Sequence, residues 1–435
     1  MKYIIVGTGV AAIGAIEAIR TVDASGAITL IGDDPHGYYS RPGLAYYLSG
    51  EVNEKQLFPH LAYGLRKSQV RVVKGLVTRV FPANHQIELQ NGSTLPYDRL
   101  LLATGAHATP LEVAGAKLDG VVKLDHLEDA RKILKLARRG KTAVVVGGGI
   151  TALELVEGLI TRGVKVHYLL RANRYWSNVL DEGESRLVET RLKEEGVQVH
   201  HHAEVREIQG HGHVEAIRLA DGRILRCDLL AYAIGVVPRL ELAQQAGVAV
   251  ERGILADEHM RTNVPDIYAA GDVAQVYDAR SGHSVLDSLW GTAREQGRIA
   301  GLNMAGKPEA YVKPVASNVT RLAGLATTII GAVGNGRDAD VVGIARGDSE
   351  SWRALSDATT VQTALDIHHV RLLIGERTLI GAIVMGDQLL SLVLEKMIAA
   401  EVDISPIRSR LLAGGAGIAD IVSDYWTGWK KLHAS

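Results

Sequence analysis

Cysteine is all but missing from this chain: its 435 residues include one, Cys227. A single cysteine excludes an internal disulfide and dithiol chemistry within one chain, and it fits a reducing compartment. A strong charge of either sign is missing too. Lys plus Arg number 48 and Asp plus Glu 49, for a formal net charge of −1. That argues against a general nucleic-acid binder. Long hydrophobic runs are also absent. The longest weakly polar stretch, 322–334, is shorter than the ~20 residues a membrane helix needs, and Gly and Thr break it. Met1 and Lys2 lead at once into an apolar strand, so no signal peptide is expected. The expectation is a cytoplasmic protein with no membrane span and no nucleic-acid partner.

Glycine is plentiful, at 47 residues. It favours tight turns and close backbone approach over disorder. The length implies about two to four domains. Residues 2–6 read as a buried strand, and GTGVAAIG follows at 7–14. Gly7, Gly9 and Ala12 fill the G-x-G-x-x-G/A pattern between strand and helix, with Val10 and Ala11 opening the helix. Gly7 permits the turn, Gly9 lets a pyrophosphate reach the backbone, and Ala12 keeps helix and strand close. The phosphates then meet unpaired N–H groups at the helix start. A second strand, 27–32, ends at Asp33, where an acid can hold ribose hydroxyls; Asp34 is the alternative. Residues 70–90 alternate with period two and predict antiparallel strands, and 100–105 reads as another buried strand.

The pattern then restarts. A charged helix is predicted over about 127–139 and a strand over 142–146, followed by GGGITALE at 147–154. Gly147, Gly149 and Ala152 repeat the loop, with Ile150 opening the helix. Two such loops call for two dinucleotides. The strand 164–170 ends differently from its counterpart: Leu170 stands where the ribose acid would be, with Arg171 next and Arg174 beyond. Arginines there can pair with a 2′-phosphate, which leans toward NADPH; the alternative is that both are solvated loop residues. Past residue 320, strand-like runs at 327–333, 363–374 and 378–384 precede an amphipathic helix near 387–401. Three consecutive histidines, His200, His201 and His202, do not share one strand face, so no metal site is expected. The basic run 131–141 reads as a solvated helix face or a surface for steering an acidic carrier. Trp426 and Trp429 read as packing against the C-terminal region.

The segments YYSRPGLAYYL (38–48), LLATGA (101–106), AIGVVPRLEL (233–242), RGILADEHMRTNVPDIYAAGDVAQ (252–275) and SLWGTAREQGRIAGLNMAG (288–306) carry a resemblance. They resemble the FAD-dependent pyridine nucleotide oxidoreductases, and within them the ferredoxin and rubredoxin reductases and the flavin module of large nitrite reductase subunits. The resemblance implies that Arg41 and Pro42 lie along the flavin, and that Val77 lies near the adenine. It implies that Ala103, Thr104 and Gly105 form the crossing between the two dinucleotide domains, and that Gly235 lies beside the nicotinamide dinucleotide. Gly271 and Asp272 match the pair whose carboxylate holds the ribityl chain. Trp290, with Ala293, Gln296 and Gly297 at the family offsets, would stand where the nicotinamide stacks. Asp287 or Ser288 is expected to cap the helix that follows, whose N-terminal dipole would favour a reduced flavin.

The chain also departs from its relatives. Where disulfide reductases carry cysteines it has Ser40–Leu44, and Cys227 reads as a packing thiol. Where some ferredoxin reductases have a lysine paired with the glutamate of the second loop, it has Tyr46, while Glu154 remains. Glu154, Tyr46 and Trp290 are therefore the residues expected at the reacting end.

These readings combine into an α/β protein with two Rossmann-like dinucleotide-binding domains and a C-terminal α+β domain. The FAD domain is discontinuous, 1–112 and 246–318. The NAD(P) domain is inserted at 113–245, and the last domain covers 319–435. Hydride would pass from NAD(P)H to FAD, then electrons to a ferredoxin- or rubredoxin-type carrier or a small-molecule acceptor. Rival readings are an NAD(P)H oxidase or quinone reductase, and a flavin-bound sensor. A homodimer stays open.

Overall fold

Two five-stranded parallel sheets grow from the two strand–glycine–helix repeats. The computed structural model describes residues 1–59, 68–334, 346–353, 358–364, 368–415 and 417–433. The first sheet has the order Ile267–Ala269, Arg99–Leu102, Lys2–Val6, Ala27–Gly32, Val70–Lys74. The second has the order Val121–Lys123, Leu229–Tyr232, Thr142–Val146, Lys165–Leu169, Gln198–His200. In each, the strand entering the glycine loop is central. In each, counting from the strand that enters the glycine loop, a three-stranded antiparallel sheet (residues 77–96 and 205–226) is spliced between the third strand and the next. Ile5, Leu30, Ile31, Val144 and Val145 are almost fully buried. Continuous apolar strands of this kind suit a parallel sheet covered on both faces.

The first sheet draws one strand from beyond residue 260, so chain that follows the second sheet returns to complete the first. The helices Val10–Val22 and Trp290–Met304 pack almost backbone to backbone on it. Side chains at Gly297 and Gly301 would collide with the carbonyls of Ala11 and Ala15, and one at Gly14 with that of Arg294. Small residues on both helices make this approach possible. It sets the start of the second helix beside the start of the first.

The third layer is an antiparallel sheet ordered Ser317–Leu322, Leu325–Gly331, Leu379–Met385, His369–Ile374, Thr359–Gln362, with helices Ser391–Ala399, Ser405–Leu412 and Ile418–His433 against it. Its other face joins the core of the second sheet through Leu322, Ile329 and Met385, together with Trp352 from the turn Glu350–Arg353. A buried clamp ties the two: Glu184 accepts from His369 Nε2 at 3.0 Å and Arg371 Nε at 2.9 Å.

Several expected elements shift. Of 70–90, Val70–Lys74 joins the first sheet in parallel, and only the hairpin beyond it is antiparallel; an alternating pattern does not tell which partner a strand finds. The charged helix stops at Leu136. In its basic run, Arg131 pairs with Glu54, Lys132 with Asp119 and Lys141 with Asp228. The run expected at 363–374 is instead the end of a hairpin, Thr359–Gln362 against His369–Ile374, and 365–367 lie outside the described residues. The helix near 387–401 spans Ser391–Ala399. The histidine run is not a plain solvated strand. His200 lies 3.1 Å from His167, and His201 pairs with Glu189 at 2.8 Å. Among the described residues no cluster could hold a metal ion, and no helix is long and apolar enough to cross a membrane.

Candidate active site

Both glycine loops have the same construction. Gly7 has φ +115° and Gly147 φ +141°, values that disfavour any side chain. A Cβ on Gly7 would strike the carbonyl of Ala103, and one on Gly147 that of Ala233. Each glycine thus lets a loop press against the strand that ends beside it. Gly9 is different. A Cβ there would meet no protein atom within 4 Å, and Gly9 borders a cavity of about 820 Å³. Packing does not demand that glycine; the room above it is what glycine preserves. A cavity of this size is at the upper end for ligand sites, as a dinucleotide requires.

The cavity gathers residues from distant parts of the chain. Gly7, Gly9, Val10, Ala11, Asp33, Asp34, Arg41, Pro42, Tyr46, Val77, Ala103, Thr104, Gly105, Ile150, Glu154, Gly271, Asp272 and Trp290 all line it. Ala12 lies beneath, fully buried. Gly147, Gly149, Arg171, Arg174 and Gly235 do not line it. Gly235 leads into the short strand Val236–Pro238, which pairs antiparallel with Ala106–Ala108. This two-stranded link, with Thr104 Oγ1 donating to the Arg239 carbonyl at 3.2 Å, is where chain crosses between the parallel sheets. Leu170 is buried in the core beneath the second loop. Arg171 is exposed. Arg174 donates to Asn173 Oδ1 at 3.3 Å and to the Ser177 carbonyl at 2.9 Å.

At the end of the second strand the two acids divide. Asp33 is exposed. Asp34 accepts from the His36 amide at 2.9 Å and lies 3.7 Å from His126 and 3.8 Å from Arg41. Burial opposes its ionisation, but the nearby His126, the His36 amide and the Arg41 charge hold its carboxyl below the usual range. Asp272 shows the reverse. Burial pushes it up, and the charges of Arg346 and Arg41 only partly compensate. The Gly271 amide donates to Gln296 Oε1 at 2.8 Å.

Trp290 opens its helix and is 47% exposed at the cavity. The residue capping that helix is Leu289, not Asp287 or Ser288. Asp287 is buried and accepts a hydrogen bond from Ser349 Oγ, so its carboxylate is already occupied. Glu154 lies within the helix Ile150–Thr161, not at its cap. Burial, then the neighbouring Glu157, pushes it up to about 8; burial pushes Glu157 up to about 7. Tyr46 and Glu154 share a small adjoining hollow with Glu157 and Arg321, and Arg321 lies over the Tyr46 ring at 6.0 Å. Cys227 is buried in a separate cluster, and burial raises its thiol to about 12. The sequence reading missed His126, Asn318, Arg239 and Arg346, which also line the cavity. Arg239 lies in the segment 233–242, whose resemblance drew attention to Gly235 alone; no local pattern marks the other three, each of which reaches the cavity from a different part of the chain.

Comparison with known proteins agrees with this architecture. The family model described as pyridine nucleotide-disulphide oxidoreductase matches residues 1–297. The ferredoxin–NAD(+) reductase component of the biphenyl dioxygenase system of Paraburkholderia xenovorans is 31% identical over 397 residues, covering 88% of this chain and 95% of that one. The rubredoxin–NAD(+) reductase of Pseudomonas putida is 31% identical over 310 residues, covering 70% and 80%. The crystal structure of a covalent putidaredoxin reductase–putidaredoxin complex matches with a TM-score of 0.85 at 24% identity, covering 97% of this chain and 98% of that one, which shows the shared fold.

Proposed function

The chain belongs to the pyridine nucleotide-disulphide oxidoreductase family, and from that premise we propose that it is a reductase serving a small redox carrier. It takes electrons from a nicotinamide, NADPH in preference to NADH, and delivers them through FAD to a carrier of ferredoxin or rubredoxin type. It uses no redox-active disulfide. The observation that supports this best is one cavity bordered both by the first glycine loop and by Ile150, Thr151 and Glu154 of the helix after the second. Two dinucleotides can meet there.

In this reading, 1–112 and 246–318 hold FAD, 113–245 hold the nicotinamide dinucleotide, and 319–435 form the third domain. The fit rests on the space kept above Gly9 and on the buried Ser288 hydroxyl at the cavity, which has no hydrogen-bond partner among the described residues. Bound FAD supplies the redox chemistry, accepting a hydride and releasing electrons onward. The chain supplies the rest. The helix starting at Val10 offers its N–H groups to the pyrophosphate, and Asp33 accepts from a ribose hydroxyl. Asp272 would hold the ribityl chain and Val77 the adenine end. Arg41 and Pro42 would hold the flavin end. Trp290 excludes water and restricts the nicotinamide ring. Glu154, kept protonated by its surroundings, can donate to the carboxamide.

Anaerobic reduction of purified ferredoxin and rubredoxin by NADPH tests the proposal. Rapid carrier reduction supports it. Turnover with oxygen alone, one peroxide per NADPH, would make the protein an oxidase instead.

A further inference from the structure

Arg346 comes from late in the chain, yet it lines the same cavity as Gly7, Asp272 and Glu154. Its segment is fastened to the entry of the Trp290 helix. The Ser288 amide donates to the Asp348 carbonyl at 2.9 Å, the Gly347 amide to the Ser288 carbonyl at 3.1 Å, and the Leu286 amide to Glu350 Oε2 at 3.0 Å. The guanidinium is held at one side by Asp125: Nη1 donates to its carbonyl at 3.2 Å and Nη2 to its carboxylate. Asp125 is fully buried and also accepts from the Ala108 amide at 3.1 Å and Lys123 Nζ at 3.3 Å. Anchored this way, a planar guanidinium has a set position instead of a floppy one. Beside the same cavity, Ser288 Oγ is buried with no hydrogen-bond partner among the described residues.

We propose that Arg346 and Ser288 form a polar subsite of the flavin pocket, with Arg346 supplying fixed positive charge that favours the reduced, negatively charged flavin over the oxidised one. A charge held in place beside the flavin costs no reorganisation when the flavin's charge changes. Asp125 offsets part of it, so the two residues tune the site in opposite senses. Both Asp272 and Glu154 feel the Arg346 charge, which places it within electrostatic reach of the two ends of the reacting region. The inference rests on FAD occupying this cavity.

The test is the midpoint potential of the flavin-loaded protein, measured by dye equilibration. Arg346→Gln should weaken binding of reduced relative to oxidised FAD about tenfold, a fall of roughly 30 mV for a two-electron couple. Arg346→Lys should recover most of it. Asp125→Asn, which leaves the arginine charge in place, should move the potential upward. An unchanged potential in flavin-loaded Arg346→Gln overturns the proposal, as does a fall in Asp125→Asn. If Arg346→Gln does not retain flavin, the Asp125→Asn shift decides by its sign. Ser288→Ala should loosen both flavin forms alike, and unchanged affinity removes Ser288 from the subsite. A wild-type protein that binds no FAD would strike the underlying reading and this inference with it, whereas an unchanged potential in a flavin-loaded variant strikes this inference alone.

Discussion

Gln296 and Gly271 are joined by a buried hydrogen bond of 2.8 Å from the glycine amide to the glutamine side chain. It locks the Trp290 helix to the turn that presents Asp272. Gln296→Leu keeps the volume and leaves a buried amide unpaired, a cost of about 1–3 kcal/mol. A lower melting temperature and weaker FAD retention are expected. Thermal melts with and without added FAD check this, and a variant indistinguishable from wild type on both counts refutes it.

Trp290 is half-exposed, so its removal should cost little stability. Trp290→Ala is expected to bind FAD and melt within a few degrees of wild type, but to accept hydride slowly and lose charge-transfer absorbance. Stopped-flow spectra beside a melt distinguish this from a packing role. A destabilised variant reduced at wild-type speed would count against the proposal.

Arg171 is the exposed arginine directly after Leu170. Charge-assisted contacts to a 2′-phosphate are worth ~1.5–3 kcal/mol, so Arg171→Ala should lose roughly 10–150-fold in NADPH affinity. NADH affinity should hardly change. Titrations with both nucleotides measure the ratio, and a ratio equal to wild type rejects the assignment.

Glu154 and Glu157 stay protonated up to about 8 and about 7, against 4.5 for an ordinary glutamate. The folded protein therefore binds more protons than the unfolded chain between those values. The resulting stability is present in full at low pH and is lost as pH rises through about 8. Glu154→Gln should flatten this decline, by at most about 1.4 kcal/mol per pH unit. Urea unfolding at pH 5 to 9 provides the comparison; parallel curves for variant and wild type contradict it.

Cys227 is buried and its thiol is held protonated, so it is a poor nucleophile. Cys227→Ser should retain flavin reduction and acceptor turnover. A large loss of turnover in folded variant protein would show that the thiol takes part in the chemistry.

Much of the fold was readable because its marks are local. A buried strand, a glycine that needs φ > 0 and an apolar helix follow one another within about 20 residues at both loops, and the glycine is forced by backbone sterics. Gly297 was visible only as part of a pattern; its contact with Ala11 gives the physical cause, and Gly301 against Ala15 extends it. The partner of Val70–Lys74 was not readable, since alternation describes a strand's faces and not its neighbour. Nor was the cap of the Trp290 helix, because Asp287 had a stronger claim on it from Ser349, sixty-two residues away.

The sequence by itself determined two dinucleotide loops, the lack of a second cysteine and the family, because these depend on residue identity and short spacing. Tertiary structure alone decided that Arg346 reaches the same cavity as Gly7, that Glu154 and Tyr46 share a hollow with Glu157 and Arg321, and that Asp34 is engaged by Arg41 and His126 while Asp33 stays exposed. Those relationships join segments up to several hundred residues apart. They are set by how sheets and helices pack, and burial and charge take their values only once that packing exists.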